Sequence, residues 1–314
     1  MSRIHIIGTG GTIASTGGSD GATPSLSTES IVELVPDLTE NTEVSTDQIS
    51  QRPGFDMDLA TLAAVAEQLP AADSVDGIII THGTDTMAES AYALDLTLAH
   101  DAPPVVFTGA QRRPEEVSSD APANLRDAVR AVTQLSRGVF LAFNGELHAA
   151  RDVVKAHTSA LETFTSPEVG PVASITRSGV RWNHEPGTAD TPLGTETLDT
   201  DATVPIITSG LGVDGTQIEQ VLEHADGIVI AGTGLGNVTA QLGEAISDAL
   251  EQIPVVVASR CHTGATEPVY GTAGGGATLA NRGVVFADAL PPWKARIALL
   301  LALEAGVNPE SVIA

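Results

Sequence analysis

Lysine is almost missing from this chain. Only Lys155 and Lys294 occur in 314 residues, and lysine and arginine together number 15 against 40 aspartates and glutamates, a net charge of −25. No basic patch remains to hold phosphates, which excludes nucleic acids and anionic membrane surfaces as partners. Cysteine is reduced to Cys261, so an intrachain disulfide is impossible. No apolar run reaches the length of a membrane span. The opening "MSRIHIIG" is too short for a secretory signal, and no cleavage site follows it. These absences predict a soluble, cytoplasmic protein.

Further absences narrow the chemistry. The eight histidines are scattered, none with HExxH spacing, and one cysteine cannot build a zinc site, so no metal is expected. No Gly-x-Ser-x-Gly elbow occurs. Two glycine clusters fail the dinucleotide fingerprint: Ile13 stands where a third glycine should follow Gly8 and Gly10, and Asn237 where one should follow Gly232 and Gly234. A phosphate loop would need a nearby lysine, so no nucleotide cofactor is expected either.

What is present reads as a folded α/β protein. Hydrophobic residues make up 42% of the chain, too many for a disordered acidic polymer. The carboxylates then describe a surface kept soluble in high salt, a halophilic pattern. Short buried runs ("RIHIIG", "VDGIIIT", "PVVFT", "RGVFLAF") alternate with helical periods ("TESIVELV", "DMDLATLAAVAEQL", "TMAESAYALDLTLAH", "APANLRDAVRAVTQL"). Such alternation predicts right-handed crossovers and a parallel sheet covered by helices on both faces. It breaks in the polar stretch from about Asn183 to Thr203, then resumes with "TVPIIT", "DGIVIA", "PVVVAS" and "GVVFA". The expected organisation is a larger domain over 1–185, a surface linker over 186–202 and a smaller domain over 203–314.

The unusual residues gather where the strands end. "IIG" leads into "TGGT", "IIIT" into "HGTDT", "VVFT" into "GAQRRP", "IVIA" into "GTGLGN" and "VVVAS" into "RCHTGAT". Open parallel sheets bind ligands beyond the carboxyl ends of their strands. Taken singly, each motif also has a plain structural meaning. Gly10 and Gly11 could serve a tight turn. Thr84 or Asp85 could cap a helix, or the aspartate could anchor a ligand's ammonium group. Lys155 could be a solvated surface charge, although so lysine-poor a chain weakens that reading, and a lysine buried near hydroxyls can act as a base.

The motifs together resemble the bacterial-type L-asparaginase family. "IGTGGTIAS", "ITHGTDTMAESAYALDLTL", "TGAQRRPEEVSSDAPANLRDAV", "RDVVK" and "SRCHTGAT" carry the resemblance, which runs from Arg3 to about Leu303. It implies a flavodoxin-like larger domain, a Rossmann-like smaller one, and a homodimer or homotetramer with sites at subunit interfaces. It implies that Thr12 is a nucleophile that forms an aspartyl ester with asparagine and releases ammonia. Thr84, Asp85 and Lys155 match the family's second catalytic group: Lys155 tunes Thr84, and Asp85 binds the substrate's ammonium as well as Lys155. Gly11, Gly54, Phe55, Ala110 and Asn237 fall at substrate-binding positions. No cofactor and no metal are implied.

Two departures stand out. The family's tyrosine soon after the first threonine has no counterpart in "GGSDGATPSLST", which offers Thr23 and Ser25 instead. Gly54 stands where the family places a serine against the substrate carboxylate, so Gly54→Ser is expected to change KM more than kcat, and asparagine is expected to be preferred over glutamine. Two other functions remain: the amidase subunit of an archaeal tRNA-dependent amidotransferase, which carries an extra N-terminal domain whereas the motif here starts at Ile6, and a non-catalytic ligand-binding α/β protein.

Overall fold

The computed structural model describes residues 1–19, 21–39, 42–71, 73–185 and 192–313. The chain forms two compact units, Met1–Leu198 and Asp199–Ala314.

The first unit begins with strand β1 (Ser2–Gly10), a 3-10 turn (Thr12–Ala14) and a small hairpin of β2 (Ser15–Gly18) and β3 (Gly21–Pro24). Helix α1 (Thr28–Glu33), strand β4 (Thr42–Arg52), helix α2 (Leu59–Glu67), strand β5 (Gly77–Thr81), helix α3 (Met87–Thr97), strand β6 (Val105–Thr108), helix α4 (Ala121–Val132) and strand β7 (Val139–Phe143) follow. Five strands then come without a helix between them: β8 (Glu146–Ala149), β9 (Val154–Lys155), β10 (Phe164–Thr165), β11 (Ala173–Thr176) and β12 (Gly179–Trp182).

The main sheet runs in the order β12-β11-β8-β7-β6-β5-β1-β4. From β4 to β7 every neighbouring pair is parallel. Ile78, Ile79 and Ile80 of β5 are completely buried, as a strand covered on both faces requires. Numbered among themselves, these five strands stand in the order 2-1-3-4-5, the flavodoxin arrangement. The order reverses between β1 and β5, which puts the expected ligand crevice at their carboxyl ends.

The sheet is mixed, however, and here the expectation of a parallel sheet is corrected. Beyond β7, the pairs β7–β8, β8–β11 and β11–β12 are antiparallel. The cause is Asn144–Gly145, a two-residue connection with φ of 50° and 80°. Positive φ at both positions makes the tight turn whose twist suits a hairpin, and Asn-Gly is its strongest sequence signal. Strand β4 is also absent from the expected elements. It lies at the sheet edge, and its alternately exposed, polar residues give no buried apolar run.

The first unit extends to Leu198. Residues 186–191 of the expected linker lie outside the described residues. Past them, the Leu193 N–H donates to the Leu96 carbonyl at 2.8 Å. A 3-10 turn over Thr195–Leu198 then buries Leu198 completely, an anchor that the polar composition of this stretch concealed.

The second unit holds β13 (Ile206–Thr208), α5 (Thr216–Val221), β14 (Ile228–Gly232), α6 (Ala240–Ala249), β15 (Val255–Ser259), α7 (Gly276–Asn281), β16 (Val285–Phe286), α8 (Pro292–Ala305) and α9 (Glu310–Ile313). Its four strands are parallel and stand in sequential order. Its core is built from Ile228, Ile230, Val255 and Val257 against Leu242 and Ile246 of α6.

Candidate active site

Three strand ends meet through glycine backbones. A Cβ on Gly11, after β1, would lie 2.4 Å from the Cα and N of Gly83, after β5. A Cβ on Gly83 would lie 2.4 Å from the Cα and N of Gly54, after β4. No side chain fits between backbones this close, so glycine is required for steric reasons. Hydrogen bonds fasten the same contact. The Gly11 N–H donates to the Arg52 carbonyl at 2.9 Å, and the Thr86 hydroxyl donates to the Gly54 carbonyl at 2.6 Å.

Gly54 therefore has a role that the sequence did not convey. A Cβ there would meet the backbone C and O of Gly83 at 2.8 Å. A serine must push two loops apart, so Gly54→Ser is expected to cost stability and kcat besides any change in KM. Phe55 beside it is 76% exposed, at the rim of this contact.

Thr12 and Thr84 directly follow two of the touching glycines. Gly11 has φ 77° and ψ −173°, a conformation open essentially only to glycine, and it turns the chain from β1 into the 3-10 turn that Thr12 opens. Ile13 and Ala14 are fully buried beneath that turn, which leaves Thr12 partly exposed on a pinned backbone. The Ser15 hydroxyl, donating to the Gly11 carbonyl at 2.8 Å, tightens it further. Ser25 and Thr23, the offered substitutes for the family's tyrosine, belong to the following hairpin. The Ser25 hydroxyl pairs with that of Thr16 at 2.7 Å, and Thr23 stands opposite Thr16 in the β2–β3 register.

The second group assembles around Lys155. Its Nζ donates to Thr84 Oγ1 at 2.8 Å and to Asp85 Oδ1 at 2.7 Å. Thr84 is 5% exposed, whereas the Asp85 side chain is half exposed and can also face a ligand. Lys155 lies about seventy residues further along the chain, on β9, so tertiary structure alone makes this triad. An ammonium donating to a threonine oxygen stabilises the negative charge that grows there when the hydroxyl gives up its proton.

Two supports hold these loops from behind. His82, fully buried behind Gly83, donates from Nδ1 to the Gly83 carbonyl at 2.7 Å and pairs through Nε2 with the Ser90 hydroxyl at 3.0 Å. Burial pushes its pKa down to about 4, so the ring is neutral and acts as a fixed bracket for the middle glycine. The loop containing Ala110, itself fully buried, is held by Asp120. That carboxylate accepts from the N–H groups of Gln111 and Arg112 at 3.0 and 2.9 Å. Asn124 links it to the Gly109 carbonyl and receives the Asn144 N–H. His82 stands in the strand-end motif "HGTDT", whereas the roles of Asp120 and Asn124 left no sequence trace beyond polar residues at and inside the start of a helical period.

Asn237 belongs to the second unit, where its side-chain oxygen accepts the Gly276 N–H at 3.0 Å. Among the described residues, no group of three or more His, Cys, Asp or Glu side chains could hold a metal ion, and no helix is long and apolar enough to cross a membrane.

Comparison with known proteins identifies the family. The family model "Asparaginase, N-terminal" matches residues 3–188, and "Glutaminase/Asparaginase C-terminal domain" matches residues 203–314. The "Probable L-asparaginase" of Deinococcus radiodurans is 38% identical over 99% of this chain and 96% of its own length. The crystal structure of a probable cytoplasmic L-asparaginase from Campylobacter jejuni superposes with a TM-score of 0.89 at 32% identity, covering 99% of this chain and 98% of that one. A glutamyl-tRNA(Gln) amidotransferase chain of Haloquadratum walsbyi is 32% identical, and the match covers all of this chain but 74% of the relative. With both family domains matched in order across nearly the whole chain, the protein belongs to the asparaginase/glutaminase family of amide-bond hydrolases.

Proposed function

We propose that this protein is an L-asparagine amidohydrolase that works through a threonine ester. The Thr12 hydroxyl attacks the side-chain amide carbon of asparagine. The tetrahedral oxyanion is held by backbone N–H groups at the strand ends. The C–N bond breaks, the nitrogen leaves as ammonia after gaining a proton, and an aspartyl ester remains on Thr12. Water then attacks the ester, releases aspartate and restores the hydroxyl. Thr84, tuned by Lys155, polarises the amide and activates that water, while Asp85 receives the substrate's ammonium group. Gly11, Gly54, Phe55 and Ala110 stand at the family's substrate-binding positions, where the buried Gly11, Gly54 and Ala110 shape the loops that bear the threonines and Phe55 lies at the rim, and Asn237 reaches the site of a neighbouring subunit in a cytoplasmic homodimer or homotetramer.

The observation that carries this reading is the Lys155 Nζ bridging Thr84 and Asp85, directly after the backbone contact between Gly11, which precedes Thr12, and Gly83, which precedes Thr84. The test is ammonia release from asparagine and from glutamine, each with and without tRNA. Asparagine turnover that ignores tRNA supports the proposal. Ammonia released only with a charged tRNA would indicate an amidotransferase component, and none from either amide would indicate a binding protein. Thr12→Ala should abolish turnover in a folded protein, and Thr12→Ser should retain part of it. Full activity of Thr12→Ala would remove Thr12 as the nucleophile.

A further inference from the structure

The segment that carries Lys155 stands apart from the main sheet. β9 and β10 are two residues each and pair only with each other, Lys155 opposite Phe164 and Val154 opposite Thr165. So short a ladder holds no fixed position by itself. The connecting loop is closed locally: His157 Nδ1 accepts the N–H groups of Ser159 and Ala160 at 3.1 and 3.0 Å, and the Ala156 N–H donates to the Thr163 carbonyl at 2.7 Å. These bonds shape the loop but do not say where the hairpin sits.

Among the described residues, two side-chain contacts tie its second strand to the main sheet. The Phe164 ring, 3% exposed, packs edge-on against Phe143 of β7, with centroids 5.1 Å apart. Ser166, the residue after β10, is also buried, and its hydroxyl lies 3.0 Å from Nδ1 of His148 on β8. His148 is 1% exposed, and its Nε2 lies 3.4 Å from Oε2 of Glu146, two residues back on the same strand. That separation is long for a hydrogen bond. Even so, the ring beside Glu146 holds the carboxyl below its ordinary value, so a carboxylate faces Nε2 and favours the proton there. With the proton on Nε2, Nδ1 accepts from the Ser166 hydroxyl. The chain of contacts runs from Glu146 through His148 and Ser166 to the strand that faces Lys155.

We propose that His148 is a positioning residue for Lys155: by gripping Ser166 it fixes the β9–β10 hairpin on the main sheet and so sets where the Lys155 amine meets Thr84 and Asp85. The aromatic contact fixes the depth of the hairpin but allows sliding, because edge-on rings tolerate small translations. The directional Ser166–His148 bond removes that freedom. The inference rests on the catalytic reading of Lys155.

The test compares kcat, KM and melting temperature of the full chain for wild type, His148→Phe, His148→Asn, Ser166→Ala and Lys155→Met, with asparagine as substrate. His148→Phe keeps a buried ring and removes both polar contacts. Ser166→Ala removes one hydroxyl and is the safer variant for folding. Misplacement by about 1 Å can cost about a hundredfold in rate. Both variants should therefore lower kcat at least about tenfold in folded protein, with KM within about twofold. His148→Asn, whose amide oxygen can accept the Ser166 hydroxyl, should recover most of the loss. Wild-type kcat in Ser166→Ala, or in a folded His148→Phe, would overturn the inference. So would a kcat loss that His148→Asn does not relieve. Lys155→Met separates the two readings: if it turns over normally, the role of Lys155 itself is wrong, whereas an inactive Lys155→Met beside a fully active Ser166→Ala defeats only the positioning role.

Discussion

Gly83→Ala tests the glycine contact most directly. The added methyl would sit 2.4 Å from the Cα and N of Gly54 and 3.3 Å from the Cα of Gly11, where ordinary contact is 3.4–4 Å. The opposing atoms are backbone, so no side chain can rotate away, and the loops after β4 and β5 must part by about 1 Å. Overpacking of this kind costs about 1–3 kcal/mol. In a unit the size of Met1–Leu198 that lowers the melting temperature by about 2–12 °C. The same displacement carries Thr84 away from its partners, and about a hundredfold loss in kcat/KM is expected. Gly11→Ala should be worse, because its ψ near 180° at φ 77° adds about 1–3 kcal/mol of backbone strain. Gly271→Ala is the control, since a Cβ there meets nothing within 4 Å. Calorimetry and steady-state ammonia release on the three variants decide the matter. A Gly83→Ala protein with wild-type melting temperature and kcat/KM would refute the claim that these backbones touch.

Lys155→Met should lower kcat by about a thousandfold, the range of a lost general acid or base. Normal turnover would make the lysine a bystander. Asp85→Asn should raise KM at least about tenfold, since a hydrogen bond to a charged group contributes about 1.5–3 kcal/mol. An unchanged KM would contradict the ammonium anchor. His82 is neutral in the folded protein with a pKa near 4, whereas an unfolded histidine protonates near 6.5. Its contribution is therefore present above about pH 6.5 and is lost as pH falls towards 4, on the order of 3 kcal/mol in all. Urea midpoints of wild type and His82→Gln should converge over that window, and a constant gap would show that the ring is not buried neutral. The net charge of −25 predicts a melting temperature that rises with molar salt, because at about 1 M the screening length falls to about 3 Å. A salt-independent melting temperature would remove the halophilic reading.

The strand-end residues were legible in the sequence because each follows a continuous apolar run, and such runs mark the central parallel strands. Ile78–Ile80 announce β5, and "HGTD" is then fixed at its end. The family resemblance, rather than any single motif, named Thr84, Asp85 and Lys155 as a group. The 2.7–2.8 Å contacts that join them depend on a hairpin too short to leave any periodicity. Gly54 shows the opposite limit: aligned as a missing serine hydroxyl, it is a spacer between backbones, a property that belongs to a pair of loops and to neither alone. β4 and the antiparallel half of the sheet were missed for separate reasons. An edge strand with alternating polar residues shows no buried run, and the turn at Asn144–Gly145, although a standard hairpin signal, sits between runs that also read as one strand followed by a loop.

The touching glycines have a kinetic consequence as well. Gly11, Gly54 and Gly83 follow β1, β4 and β5, and β1 pairs with the other two across tens of residues of intervening chain. Parallel pairing of this kind pays its loop-closure entropy before any contact repays it, and it forms late and slowly. Local helices such as α3 need not wait for it. During refolding, helical signal therefore returns first, and catalytic competence reports the docking of β4, β1 and β5 into one sheet. A chain arrested before that step would look largely folded to a spectrometer while lacking any place to hold a substrate.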